Sequence, residues 1–215
     1  MATEPNKGVT NMTEMTLLDP VKSALPLRRF TVAEYHRLTE LGFLSEDDHV
    51  ELIDGVLVHM AAQRSRHSSV ISRMGRYFYS LDLQQQVTLR IQLPVHLSDA
   101  SEPEPGLALV KPRDDMYVDA HPSPEDVLLL IEVSDTTLEV DQSVKLPRYA
   151  AAGIPEVWII NLVDDIIEVY RAPVQLPSGG ALYQEQRNLI KGDRLSPEAW
   201  SAIQIAVDDV LGGGL

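Results

Sequence analysis

Residues 131–158 read IEVSDTTLEVDQSVKLPRYAAAGIPEVW. A short apolar run carrying one carboxylate, Glu132, leads into a polar segment with Asp141 and Lys145, then a glycine stop at Gly153 and a second apolar run. The middle part, LEVDQSVKLPRYAAAG, reads as a helix that ends at Gly153, with Pro155 just beyond it. Pro147 conflicts with an uninterrupted helix, because it has no N–H to donate and its ring clashes with the preceding turn. Either the helix kinks there or its regular part begins near Pro147.

Glu132 lies between LLLI and Val133, where an unpaired charge would protonate rather than stay ionised. In a strand, Glu132 and Ser134 share one face and Val133 takes the other. Two readings stay open: a structural ion pair with Lys145 or Arg148, or a metal-binding or acid–base carboxylate at the end of a buried strand. Asp141 and Lys145 stand four apart on one helical face. They are either an ordinary surface pair or a means of setting an ammonium beside Glu132.

Outward from this block, FTVAEYHRLTELG has helical spacing at Val32, Tyr35, Leu38 and Leu41, with Thr31 as cap and Gly42 as stop. VELIDGVLVHM predicts two short strands around the tight turn Asp54-Gly55. HSSVISRMGRYFYSL places Val70, Ile71, Met74, Tyr77, Phe78 and Leu81 on one helical stripe. VTLRIQLPVHL alternates from Val87 to Leu97 and predicts a strand with one buried face, Pro94 marking a bulge or an edge. LALV and VLLLIEV read as central strands. VWIINLVDDIIEVYRA reads as two strands joined at Asp164-Asp165, ALYQEQRNLIKGDRLS as a further hairpin, and AIQIAV as a strand before an acidic end. The sum is an α+β chain with a mixed β-sheet core, about three helices and no repeat.

The chain has 215 residues, 44% of them apolar, enough for one sizeable core. Residues 1–28 read as a flexible arm, 29–211 as the domain and 212–215 as a flexible end. No apolar run is long enough to span a bilayer, and the first residues lack the pattern of a secretory signal, so a cytoplasmic protein without membrane partners is expected. With no cysteine, thiolate chemistry and cysteine-ligated zinc are excluded, and the six histidines are scattered. His59, His96 and His121 have no partner at a recognised metal-ligand spacing. The formal net charge of -14 repels polyanions and weakens the case for nucleic acid as a partner. Arg66, Arg73 and Arg76 form either a modest basic strip for phosphate or a solvated face paired with the surplus acids. His67, at the start of the second helix, is read as bonded to backbone.

Taken in order, VELIDGVLV, HSSVISRMGRYF, SEPEPGLALV and VLLLIEVSDTTLEVDQSVKLPRYAAAGIPEVWIINLVDDIIEVYR resemble the Uma-type restriction endonuclease family, a branch of the PD-(D/E)XK nuclease-like superfamily. The resemblance covers roughly residues 30 to 210, and the IEVSD…D…K…YAAAGIPEVW block is its most specific part. It implies a restriction-endonuclease-like sheet flanked by helices and additional β-hairpins, and a metal-dependent endonuclease using Mg²⁺ or Mn²⁺ on nucleic acid. Glu132 corresponds to the family's metal-ligating glutamate. Ser134 stands where the family's usual lysine would be, and Lys145 matches the displaced basic residue. Glu51 matches an acidic residue near the same site, and Asp141 and Tyr149 match supporting positions.

The departure is Gly106, where the family has a metal-binding aspartate after proline and this chain reads PEPGLALV. Glu104 is two residues upstream and Glu102 four; Glu104 shares strand parity with position 106 but lies about 6 to 7 Å along the chain. The resemblance therefore implies Glu132, Lys145 and Glu51 as catalytic residues and Glu132 and Glu104 as metal ligands. The alternative is a nuclease-fold protein, inactive through Gly106, serving as a binding or regulatory subunit, for example a homodimer formed through edge strands.

Overall fold

The computed structural model describes residues 27–212 except residues 82 and 84. Almost all of the expected N-terminal arm, and residues 213–215 of the C-terminal end, lie outside the described residues. Thr31 caps helix α1 (Val32–Glu40): its side chain accepts from the Glu34 N–H while the Glu34 carboxylate accepts from the Thr31 N–H. Gly42, at φ +73°, turns the chain away after it. Strands β1 (Val50–Ile53) and β2 (Val56–His59) form a separate two-stranded sheet in which Ile53 faces Val56. Asp54 and Gly55 both take positive φ, 49° and 75°, the twist that a two-residue hairpin turn demands.

Helix α2 (Ser65–Ser80) buries Val70, Ile71, Met74 and Phe78 of the expected stripe, with Gly75 beside them, while Tyr77 and the residue that follows the helix, Leu81, are part-buried against the same core. The main sheet takes β3 (Thr88–Ile91), β4 (Leu107–Val110), β5 (Val127–Ser134), β6 (Glu156–Asn161), β7 (Ile166–Gln175) and β8 (Ala181–Leu189), in that order across it. Only β5 and β6 are parallel; every other pair is antiparallel. A parallel pair needs a long crossover, and residues 135–155 supply it. Short α3 (Leu138–Val140) runs into a π-helical turn (Asp141–Lys145) and then α4 (Leu146–Ala151).

Pro147 explains that turn. The Leu146 N–H reaches back five residues to the Asp141 carbonyl, and Pro147, in the first turn of α4, has no N–H to place. The regular α-helix thus begins beside Pro147, at Leu146, the second of the two expected alternatives, and the chain before it is widened into the π turn.

Strand alternation divides the core into two layers. On one face α2 packs on Leu107, Leu109, Leu129, Ile131, Val133 and Trp158. On the other, Tyr149, Ala150 and Ile154 pack on Ala108, Val110, Leu130, Val157 and Ile159.

Three local expectations give way to tertiary structure. VTLRIQLPVHL is not one strand: Gln92 takes φ +50° directly after β3, so Leu93 is 43% exposed while Val95 is fully buried in the opposite layer from Ile91. ALYQEQRNLIKGDRLS does not close on itself, because β8 pairs with β7 and β9 (Arg194–Leu195) pairs with β10 (Ile205–Ala206). The strand expected in AIQIAV is only those two residues of β10, and the acidic segment after it forms helix α5 (Val207–Leu211), which buries Val207, Val210 and Leu211.

Gly55 offers a direct test of the hairpin. A Cβ there would lie 2.5 Å from Arg29 Cβ and 2.8 Å from the Phe30 carbonyl oxygen. With a strained φ added to that crowding, Gly55→Ala is expected to lower stability by about 1–3 kcal/mol, read as a shift in the urea midpoint.

Candidate functional site

At the C-terminal end of β5 one ammonium is buried among three carboxylates. Lys145 Nζ lies 3.0 Å from Glu51 Oε1, 3.5 Å from Glu132 Oε1 and 3.8 Å from Asp141 Oδ1. All four side chains are buried, so Asp141 and Lys145 are no surface pair. They come from three places: Glu51 from β1, Glu132 from β5, Asp141 and Lys145 from the two ends of the π turn.

Each carboxylate is held by further donors. Tyr149 Oη donates to Glu132 Oε1 at 2.5 Å, and the Gly106 N–H donates to Glu132 Oε2 at 3.3 Å. The Glu104 N–H donates to Glu51 Oε2 at 3.0 Å. Ser134 and Thr137 hydroxyls both donate to Asp141 Oδ2 at 2.7 Å. Arg148, one turn beyond Lys145, pairs with Asp54 of the hairpin turn instead of with Glu132, Nε at 3.0 Å and Nη2 at 2.5 Å.

Three carboxylates against one ammonium leave a surplus of buried negative charge, and the protonation equilibria respond. Burial, together with Asp141 and Glu51, outweighs Lys145 and Tyr149 and pushes the Glu132 carboxyl up to about 7. Burial also raises Asp141, against the pull of Lys145 and the two hydroxyls. For Lys145, burial opposes the charge, but Glu132, Glu51 and Asp141 prevail and hold it above the ordinary lysine range. Burial and the neighbouring Glu132 charge keep the Tyr149 hydroxyl protonated far above its usual range. Glu104, part-buried, is raised by burial and by Glu51, with Lys145 pulling the other way.

Gly106 brings a backbone N–H to Glu132 and no side chain. A Cβ built there would lie 2.8 Å from Ile71 Cδ1, 3.0 Å from the Ile131 carbonyl oxygen and 3.6 Å from Val133 Cγ2, among groups of the α2 layer. Of the arginines of α2, Arg66 is engaged with acceptors, Nη1 with the Leu162 carbonyl at 2.8 Å and Nη2 with Asp165, whereas Arg73 and Arg76 line a cleft shared with Asp208 and Asp209 and Arg73 Nε is buried without a hydrogen-bond partner among the described residues. His67 is half-buried, and burial lowers it despite the charges of Asp141 and Asp135.

The sequence reading missed a second constellation. His36 of α1, Glu102 of the segment leading to β4 and His121 of the β4–β5 connection each offer a ligand atom, all within 4.8 Å of one another, a spacing at which one divalent ion could be held. It is the one such trio of His, Asp or Glu among the described residues. Eighty-five positions separate its ends, so no ligand spacing exists in the sequence to find it by.

The Uma2 family model, whose description is "Putative restriction endonuclease", matches residues 32–208. A protein from Anabaena variabilis, described as "a putative nuclease belonging to DUF820", has a crystal structure similar to this one. The TM-score is 0.60 at 16% identity, over 81% of this chain and 96% of that one, a likeness of fold. No curated protein matches the chain.

The raised Glu132 fixes the sign of a pH effect. Its carboxyl binds a proton from about 7 downward in the folded state and from 4.5 downward at its ordinary value. Its contribution to stability is therefore fully present below 4.5 and lost as pH rises through about 7. Thermal denaturation across that window is expected to show the decline in the wild type and a flatter profile in Glu132→Gln.

Proposed function

This chain belongs to the Uma2 family, and on that premise we propose that it is a metal-dependent endonuclease hydrolysing phosphodiester bonds of nucleic acid at the end of β5. The observation that carries the reading is the burial of Glu51, Glu132 and Asp141 around the single ammonium of Lys145. Burying surplus negative charge is costly unless a cation compensates it. The donors are all oxygen, which suits a hard ion such as Mg²⁺ or Mn²⁺, and such ions are often held by one or two carboxylates with water and substrate phosphate completing the shell. In donor type the residues therefore suit the ion even with glycine at 106.

In this reading Glu132 and Glu104 hold the metal. When bound, it supplies Lewis-acid polarisation of the scissile phosphate and a more acidic water. Lys145, kept charged by its neighbours, orients the attacking water or a phosphate oxygen and offsets developing charge. Glu51 holds that ammonium in place, while Tyr149 and the Gly106 N–H fix both oxygens of Glu132. The formal charge of -14 calls for a local interaction with the strand rather than long-range attraction.

A second reading, a nuclease fold without catalysis that serves as a binding or regulatory subunit, is favoured by one specific observation. Position 106, where the resemblance implies a metal-binding aspartate, has no side chain, and a Cβ there would be crowded by Ile71 and the Ile131 carbonyl.

Nicking of supercoiled plasmid in Mn²⁺ or Mg²⁺ separates the two. The expected result is metal-dependent cleavage by the wild type, lost by a factor of about 100 or more in Glu132→Gln and Lys145→Ala, two changes at the reacting centre. Mn²⁺ affinity, measured by calorimetry, is expected to rise with pH through about 7 as Glu132 ionises. Absence of both cleavage and carboxylate-dependent metal binding would favour the inactive subunit.

A further inference from the structure

We propose that His36, Glu102 and His121 form a second metal centre, one that takes a transition-metal dication of the zinc class. It stands independently of the carboxylate centre and of the nuclease reading. Glu102 and Glu104 are two residues apart, but no side chain belongs to both sites.

The donor set is two imidazoles and one carboxylate, with all three ligand atoms within 4.8 Å of one another. His36 Nε2 already lies 2.5 Å from Glu102 Oε1, and the His36 and His121 rings stand nearly perpendicular, at 80° with centroids 6.1 Å apart. Bonds of about 2.0–2.1 Å in tetrahedral array place ligand atoms about 3.4 Å apart. The His36–Glu102 pair would open by about 1 Å to admit the ion.

Three further observations bear on the site. Glu102 is 2% exposed, so its carboxylate is fixed within the protein and not a mobile surface acid. His96 Nδ1 lies 3.4 Å from the other carboxylate oxygen of Glu102, the place of a group that orients a ligand or joins it. His36, His96, Glu102 and His121 also line one cleft of about 1140 Å³, which leaves a coordination position open to solvent or to a small ligand. Imidazole donors select zinc-class ions over Mg²⁺, which requires oxygen.

One contact opposes the ion. Arg90 Nη2 lies 3.3 Å from His121 Nδ1. A guanidinium only donates, so Nδ1 accepts and the neutral ring carries its proton on Nε2. A metal on Nδ1 competes with Arg90 directly, and a metal on Nε2 moves the proton to Nδ1, where it faces a donor. Loading the centre therefore requires Arg90 and His121 to part.

The test uses the full chain, titrated with Zn²⁺ in a calorimeter and with Co²⁺ by visible absorption. One equivalent is expected, with Co²⁺ bands that persist in Glu132→Gln and in millimolar Mg²⁺. That persistence separates this centre from the carboxylate one whatever the outcome of the nuclease assay. His36→Ala and His121→Ala should each weaken Zn²⁺ binding by about tenfold or more, with a smaller loss in His96→Ala. His36 is exposed on α1, so His36→Ala keeps the test valid should His121→Ala fail to fold, as judged by circular dichroism. Absence of Zn²⁺ and Co²⁺ binding, or affinity unchanged in folded His36→Ala, would overturn the proposal and leave a hydrogen-bonded His–Glu–His cluster.

Discussion

The buried ammonium of Lys145 is the constraint on which the arrangement of the domain depends. The hairpin of β1 and β2 belongs to a sheet of its own, yet it must sit against the end of β5. Two cations of one helical segment hold it there, Lys145 through Glu51 and Arg148 through Asp54. The Ser101 hydroxyl accepts from the Asp54 N–H, and Glu102 pairs with Leu52 across an isolated bridge. Removing Lys145 would leave the buried carboxylates without their cation, at a cost of roughly 3–5 kcal/mol. The polar cluster is thus also a structural joint, and a loss of activity on mutating it has to be weighed against a loss of docking.

Gly106 shapes the same joint from the sheet side. Its N–H completes the hydrogen bonding of Glu132, a role open to any non-proline residue, while its missing side chain leaves Ile71 and the Ile131 carbonyl their present positions. In this backbone the site is organised around backbone donors, a tyrosine hydroxyl and an ammonium. A second carboxylate at position 106 would have to displace part of the α2 layer.

How much of this was legible in the sequence depends on the range of the interaction involved. Elements set by local chemistry were readable: the Thr31 cap, the Asp54-Gly55 turn, the α2 stripe and the runs of β4 to β7. Those set by distant partners were not. VTLRIQLPVHL alternates throughout, but Gln92 turns the chain and sends Val95 to the other layer; Pro94 signals an irregularity there but not the change of layer. ALYQEQRNL found its partner in β7 and not in the residues after it. In the site, strand parity correctly put Glu132 and Ser134 on one face, and helical spacing brought Asp141 near Lys145, yet proximity to Glu51 depends on where the hairpin docks. The histidine cluster was invisible for the same reason, since α1, the approach to β4 and the β4–β5 connection meet only in the folded chain.

The π turn has a consequence of its own. It is a helix holding one residue more than regular geometry allows, and it lies between the side chains that face β5 from its two ends. Each residue of an α-helix advances the side-chain direction by about 100°. Deleting one residue between Asp141 and Leu146 would restore regular winding with Arg148 and Tyr149 still almost in phase with Asp141, because the wide turn carries its extra residue within one hydrogen-bonded loop; winding all the residues present as regular α-helix would instead swing them by about 100°. The wide turn acts as a phase setter: it lets one short helical segment aim at the hairpin and at the strand together. A deletion in this turn is therefore felt through the side chain of the turn that it removes or turns aside, and not through a change in the aim of Arg148 and Tyr149.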